Sequence, residues 1–242
     1  MTLSSTRTKA GAALLILTIS YYLVELIVAA RWPVPHAYSW SQHMISDLGV
    51  PECIGGIRQY GDNALEGRYI CSPWHALMSA EFVLLGVMVL AAAVLLSPML
   101  PKTPLGKALP YLAAMNCLSM VLVGTFPGSS GEITGGSRVR AVLHPLGAYL
   151  ELLSGIAIMA IVAYLYRSYR GYTAVTLALL AVSAVGVVAG LGSSHLGMGP
   201  GAAERLAIDP FVWWRIITGV TLLIAPVRLA TEGRTPHRRT PL

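Results

Sequence analysis

The sequence predicts an all-α, polytopic membrane protein whose six transmembrane helices form one bundle. Hydrophobic residues make up 55% of the 242 residues and charged residues only 12%, whereas a soluble domain carries about 25% charged residues. Six apolar stretches follow one another, each near the ~20 residues needed to cross a hydrocarbon core. Most basic residues lie at the ends of these stretches, as they do in membrane proteins. The net charge of +6 therefore does not indicate nucleic-acid binding.

The six predicted spans cover residues 10–30, 73–96, 106–125, 144–166, 172–191 and 210–227. The first is too long for the core of a signal peptide and contains Glu25, so we expect it to be retained. The second, fourth and sixth spans follow a shared pattern of a polar residue and a proline: Ser72-Pro73, His144-Pro145 and Asp209-Pro210. Because proline favours the first turn of a helix, these pairs predict helix starts. Their repetition is consistent with three repeated helical hairpins, and equally with ordinary helix capping.

The charges of the loops predict the orientation of the bundle. The side with both termini carries ten basic residues and one acid, whereas six basic residues on the other side are offset by seven acids. We therefore expect a cell-membrane protein with both termini in the cytoplasm. Its parts are a cytoplasmic segment 1–9, a transmembrane domain 10–227 and a basic tail 228–242 that we expect to be cytoplasmic and disordered. The long loops then face outward, where Cys53 and Cys71 could form a disulfide.

Four charged side chains lie well inside the predicted spans: Glu25, Glu81, Glu151 and Arg215. Counted from the expected helix starts, all four occupy the outer half of the membrane. A charge facing lipid there would cost about 2–3 kcal/mol or more. We therefore expect these side chains to meet in one cluster, with Arg215 as the partner of the glutamates. The cluster would be either a functional pocket or a buried ion pair that fixes the helix register.

The histidines concentrate on the outer side, where His75 and His144 lie near two helix starts. His144 and Glu151 are seven residues apart and so share one helix face. The sequence contains no HExxH, HxxxH or CxxC motif, and we predict no metal site and no cofactor. Two histidines from different helices could hold a haem axially, whereas the simpler alternative is helix capping. On the fifth span, Gly186 and Gly190 form a GxxxG motif that predicts close helix packing.

Several short motifs resemble a known family of membrane proteins. They are Ile45-Ser46-Asp47-Leu48-Gly49, Ser72-Pro73-Trp74-His75, Gly124-Thr125-Phe126-Pro127, Leu143-His144-Pro145 and Gly201-Ala202-Ala203-Glu204-Arg205-Leu206. Over residues 10–227 the chain resembles the family named domain of unknown function 998. It departs from the family in the long first outer loop with its two cysteines and in the proline-rich tail. The resemblance implies a six-helix bundle with the motif residues on the outer side, and it implies no activity.

The leading functional hypothesis is a membrane protein with a polar pocket in the outer half of the membrane that binds a lipid headgroup or another amphiphile. The candidate lining residues are Glu25, His75, Glu81, His144, Glu151 and Arg215, with Asp47, Glu204 and Arg205 in the loops above. Membrane lipids would then be the partners. One alternative is a membrane-embedded lipid hydrolase or transferase that uses a glutamate or histidine as base. Others are a bis-histidine haem redox protein and a non-catalytic partner of another membrane protein.

Overall fold

The computed structural model describes residues 3–57, 68–128, 138–192 and 194–224, without the side chains of residues 3–5, 54–57 and 68. One sequence-based expectation, the disordered tail 228–242, lies outside these residues. The helices are α1 (Leu3–Leu17), α2 (Ser20–Ala29), α3 (His75–Leu96), α4 (Pro104–Thr125), α5 (Arg138–Leu165), α6 (Arg170–Leu191) and α7 (Pro200–Ile224). A short antiparallel ribbon joins β1 (Ile54–Ile57) to β2 (Arg68–Ile70) in the first long loop.

Six helical spans in the described residues are long and apolar enough to cross a membrane, which confirms the predicted all-α bundle. The helices α1 and α2 together form the first span, Thr6–Ala29, and each of α3 to α7 forms one more. One end of the bundle collects the start of α1 and the loops after α3 and α5. There, for example, the Thr8 hydroxyl contacts the Met99 sulfur at 3.0 Å. We call this end the terminal side and the opposite end, which holds residues 31–74 and 192–199, the loop side.

Two of the predicted helix starts are wrong. The fourth span begins at Arg138 rather than His144, and the sixth begins at Pro200 rather than Pro210. His144-Pro145 and Asp209-Pro210 therefore lie inside helices, and only Ser72-Pro73 precedes one. The polar residues of these first turns lowered the local hydropathy, but ion pairs with other segments hold them, so the helices continue through them. The predicted hairpin repeat, which rested on these pairs, is not confirmed.

The first span is interrupted between α1 and α2. The amides of Ile19, Tyr21 and Tyr22 donate to the carbonyl oxygens three residues before them, at 3.0–3.2 Å, so this turn is tighter than an α-helix. The buried Thr18 hydroxyl donates to the Leu15 carbonyl oxygen at 2.7 Å. Neither glycine nor proline occurs at this point, so the break could not be predicted from a helix-breaking residue.

Small residues allow the helices to approach closely. A Cβ atom on Gly186 of α6 would lie 2.1 Å from the Ala207 amide nitrogen of α7, so these two helices are in backbone contact. Gly190, in contrast, has no atom of the described residues within 4 Å of its ideal Cβ position, apart from the backbone of its own helix. The GxxxG motif thus contributes one of its two glycines to packing within the chain. At the interface of α3 and α4, Gly86 approaches the Cys117 backbone in the same way.

Candidate functional site

Arg205, in the second turn of α7, fastens the first long loop to the bundle. Its Nε and Nη2 atoms donate to the Oε1 atom of Glu25 in α2, at 3.0 and 2.7 Å. Its Nη1 atom donates to the carbonyl oxygens of Trp40, His43 and Gly201 at 2.8–3.0 Å, and Nη2 also donates to the Tyr38 hydroxyl. Every nitrogen of this guanidinium therefore has a partner. We call the group the Arg205 clamp.

Two neighbouring carboxylates complete the clamp on the loop side. Glu204 accepts a hydrogen bond from the Ile45 amide, 159 residues away in the chain. Asp47 is fully buried in the short 3₁₀ turn Ser46–Gly49, and its Oδ2 atom accepts from the Met44 amide at 2.8 Å. Burial raises the pKa of the Tyr38 phenol, so Tyr38 stays a neutral partner of Arg205 at ordinary pH. These contacts hold the first long loop in place, so the Arg205 clamp is a structural site.

The second arginine of α7, Arg215, lies in the middle of the bundle with a different set of contacts. It is only 1% exposed, and Nη1 and Nη2 have no hydrogen-bond partner among the described residues. Its Nε atom donates to the Phe211 carbonyl oxygen at 3.3 Å, and its Cζ atom lies 4.5 Å from the centre of the Phe211 ring. Burying an unpaired guanidinium is costly, and a cation–π contact offsets only about 2 kcal/mol. Arg215 therefore has unused donor capacity.

Arg215 and Glu151 of α5 both border a small cavity of about 20 Å³. Glu151 is 6% exposed, and Arg215 is the cation whose charge acts on its carboxylate. His144, Glu204 and Ser46 also border this cavity. A volume of this size holds about one water molecule. Of the predicted pocket residues, the structure thus brings together Arg215, Glu151, His144 and Glu204.

A larger cavity of about 130 Å³ begins at Arg215 and extends toward the terminal side. All six spans contribute to its wall, which is mostly apolar and includes Leu15, Val89, Ala113, Ile158 and Phe211. The polar groups of the wall include the Tyr172 and Thr218 hydroxyls, which hydrogen-bond to each other at 2.8 Å. Near the terminal side, Met99 and Leu222 border the cavity. Arg215 borders both cavities and is the charged group of the larger one.

The expected single cluster divides into separate groups. Glu25 pairs with Arg205 and not with Arg215, and Glu81 accepts a hydrogen bond from the Ser20 hydroxyl at 2.6 Å. The earlier helix starts also change the depths: at ~1.5 Å per residue, Glu81 lies about 9 Å along α3, Glu151 about 20 Å along α5 and Arg215 about 22 Å along α7. The prediction that all four residues meet in one cluster is therefore not confirmed, and their depth in the membrane stays a prediction. Glu151 and Arg215 lie near the middle of their helices.

The two candidate histidines make local hydrogen bonds. The Nδ1 atom of His75 lies 3.0 Å from the Ser72 carbonyl oxygen, and that of His144 lies 2.9 Å from the Phe126 carbonyl oxygen. His75 borders neither of the two cavities. In the described ranges, no three histidine, cysteine, aspartate or glutamate residues are grouped so as to hold a metal ion. The arrangement offers no pair of histidines facing one haem-sized space in either cavity.

Some polar contacts in the interior were not predicted from the sequence. Asp209 was interpreted as a helix cap, but it lies inside α7, and its Oδ1 atom accepts from the Tyr21 hydroxyl at 3.2 Å. Tyr22 donates to the Asp209 carbonyl oxygen at 3.3 Å. The two adjacent tyrosines in an otherwise largely aliphatic span were the sequence feature that could have predicted a polar contact here. In the first loop, Cys53 and Cys71 are joined by a disulfide, and the neighbouring Glu52 forms an ion pair with Arg140 at 2.6 Å.

These features define a multi-pass helical membrane protein with a charged, largely hydrogen-bonded interior on its loop side and an apolar cavity on its terminal side. The chain matches the family described as protein of unknown function (DUF998) over residues 15–221. Since the match covers most of the chain, the protein belongs to this family, and the resemblance of its motifs is confirmed. No curated protein and no solved structure matches the chain.

Proposed function

We propose that this protein binds a membrane amphiphile inside its helix bundle. The apolar part of the ligand occupies the large cavity, and its polar head lies at the end formed by Arg215. The observation that carries the proposal is a fully buried guanidinium at the end of an apolar cavity, two of whose nitrogens have no partner among the residues that the structure describes. The proposal keeps the amphiphile ligand suggested by the sequence and moves its apolar part to the terminal side.

The size and lining of the large cavity support this proposal. Its volume of about 130 Å³ is close to that of an apolar cavity of ~150 Å³ engineered in another protein, which binds benzene. The wall combines aliphatic and aromatic side chains with few polar groups, as ligand sites usually do. A ring or a short alkyl segment therefore fits, and a longer chain would extend past Met99 and Leu222 toward the terminal side.

The test is the identity and amount of lipid that co-purifies with the full chain in mild detergent, measured by mass spectrometry. We expect a bound amphiphile in the parent protein and its loss in Ala93→Phe, because Ala93 lines the cavity and a phenyl ring fills it. The matched control is Ala178→Phe on the exposed surface of α6, which should retain the ligand. Equal amphiphile content in both variants, or none in the parent protein and none after incubation with lipid extracts, overturns the proposal.

We propose also that the protein lies in the cell membrane with both termini in the cytoplasm. The support is the excess of basic residues on the terminal side, where Arg7, Lys102 and Arg167 lie close to the span ends. A reporter enzyme that is active only outside the cytoplasm, fused after Leu242, should be inactive, whereas the same reporter inserted in the first long loop should be active. The reverse pattern contradicts this orientation.

A further inference from the structure

The charges in the middle of the bundle restrict the class of amphiphile. Arg215 and Glu151 border one small cavity, and their charges attract each other without a hydrogen bond to Nη1 or Nη2. With Glu151 ionised, the two groups sum to zero charge in the middle of the bundle. A ligand that arrived as an anion would add one negative charge there, and an uncompensated charge at that depth is expensive. The site therefore favours ligands that add no net charge.

A carboxylic acid meets this condition because it can enter the apolar cavity in its neutral form. Its proton then moves to the Glu151 carboxylate through a water in the small cavity, which has room for one. The O–H bond of the ligand breaks and an O–H bond on Glu151 forms. The ligand carboxylate is left to accept hydrogen bonds from Nη1 and Nη2 of Arg215, whose fork matches two carboxylate oxygens. The site is neutral before and after the transfer.

The other titratable groups near this pair are already engaged. They are Tyr21, Tyr22, His144, Glu204 and Asp209. Glu204 accepts from the Ile45 amide, and Asp209 accepts from the Tyr21 hydroxyl. Tyr22 donates to the Asp209 carbonyl oxygen, and the Nδ1 atom of His144 is bonded to Phe126. Glu151 is therefore the carboxylate best placed to take the proton.

We infer that the cavity is a site for weak carboxylic acids with an apolar body, anchored by Arg215 and exchanging their proton with Glu151. The inference rests on the proposed amphiphile site and adds the chemistry of the head group. It excludes sulfonates and similar strong acids of the same shape, because they cannot shed their charge before entering the membrane interior. Neutral alcohols of the same shape fill the cavity without using Arg215 as an ion-pair partner.

The test uses three matched ligands, para-fluorobenzoic acid, para-fluorobenzenesulfonate and para-fluorobenzyl alcohol, with the full chain in lipid nanodiscs. Fluorine NMR measures binding of each, and the Ala93→Phe variant defines the signal that comes from the cavity. We expect the carboxylic acid to bind at least about tenfold more tightly than the sulfonate. Binding of the alcohol alone, with no advantage for the acid, overturns the head-group inference and leaves the amphiphile site intact. Binding of none of the three at the cavity overturns both.

The Glu151→Gln variant sharpens the test. It removes the proton acceptor and leaves Arg215 without a counter-charge, so an anionic ligand now neutralises the site. We expect the sulfonate to bind at least about tenfold more tightly than to the parent protein, and the preference for the acid to disappear. Glu81→Gln is the control, because Glu81 is buried, bonded to Ser20 and borders neither cavity. An unchanged acid preference in a folded Glu151→Gln protein overturns the role of Glu151.

Discussion

Arg205 and Arg215 lie ten residues apart on the same helix, and their surroundings differ completely. Arg205 donates to Glu25, Tyr38 and three carbonyl oxygens, so it has no donor left for a ligand. Arg215 is more deeply buried, yet its two terminal nitrogens have no partner among the described residues. Burial alone therefore does not separate the two arginines, whereas the number of hydrogen bonds that each guanidinium makes does.

The position of each arginine along α7 explains this difference. Near the loop side, the irregular backbone of residues 38–43 has carbonyl oxygens that no helix uses, and Arg205 takes two of them. In the middle of the bundle the helices satisfy their own carbonyl oxygens. A guanidinium there depends largely on side chains, water or a ligand. Glu151 and Glu204 are the acidic side chains that border its small cavity, and Glu204 already accepts from the Ile45 amide.

The largest expected effect comes from breaking the clamp. Arg205→Leu leaves the buried Glu25 carboxylate without its cation and releases the loop carbonyls. We expect a loss of about 3–5 kcal/mol of unfolding free energy. Thermal or denaturant unfolding in one detergent measures it, with Arg167→Leu as the control, since Arg167 is exposed and donates to the nearby Tyr164 carbonyl oxygen. Equal stability of the two variants contradicts the clamp.

The second largest loss of stability is expected from removing the disulfide in the same loop. Replacing both Cys53 and Cys71 by serine opens the loop that the disulfide closes between two residues 18 positions apart. In the entropy model such a link stabilises by about 3 kcal/mol. We expect this loss in the double variant and much less for Cys117→Ser, a thiol that forms no disulfide. A double variant as stable as the parent would show that the Arg205 clamp holds the loop unaided.

A smaller effect tests the fit of the loop against α7. A methyl group on Gly201 would lie 2.1 Å from the His43 carbonyl oxygen, which is itself a partner of Arg205. Gly201→Ala should therefore cost about 1–3 kcal/mol through displacement of the loop. Gly171→Ala is the matched control, because no atom lies within 4 Å of its ideal Cβ position. The two changes would be equivalent if the loop did not rest on the helix.

The smallest effect on stability is expected at the second arginine. Combining Arg215→Met with Glu151→Gln removes both charges from the middle of the bundle and nearly keeps the side-chain volumes. Exchanging a buried pair for neutral groups is often neutral or stabilising, so we expect a loss of no more than about 1 kcal/mol. The same unfolding assay compares it with Arg205→Leu. A loss as large as that of Arg205→Leu would make Arg215 a structural residue and remove the contrast between the two.

The sequence was sufficient for the six spans because long apolar stretches have one stable location. It failed at the starts of α5 and α7, where Arg140, Glu204 and Arg205 interrupt the apolar pattern but are held by distant partners. The partner of Glu25 was also missed, since Arg205 is 180 residues away and was counted as a loop residue. The spacing of residues along one helix predicts which of them share a face. It does not report which loop folds over that face.

The break at Thr18 and Ile19 rotates the second half of the first span about its own axis and so changes which residues face α7. A 3₁₀ turn advances by ~120° per residue and an α-helix by ~100°, so two tightened residues rotate the rest of the span by roughly 40°. Before the break, Ala12 and Leu15 face Gly219 on α7. After it, Tyr21 meets Asp209 and Glu25 meets Arg205 on the same helix. One membrane crossing thus presents two independently oriented faces, one apolar and one charged, to a single neighbour.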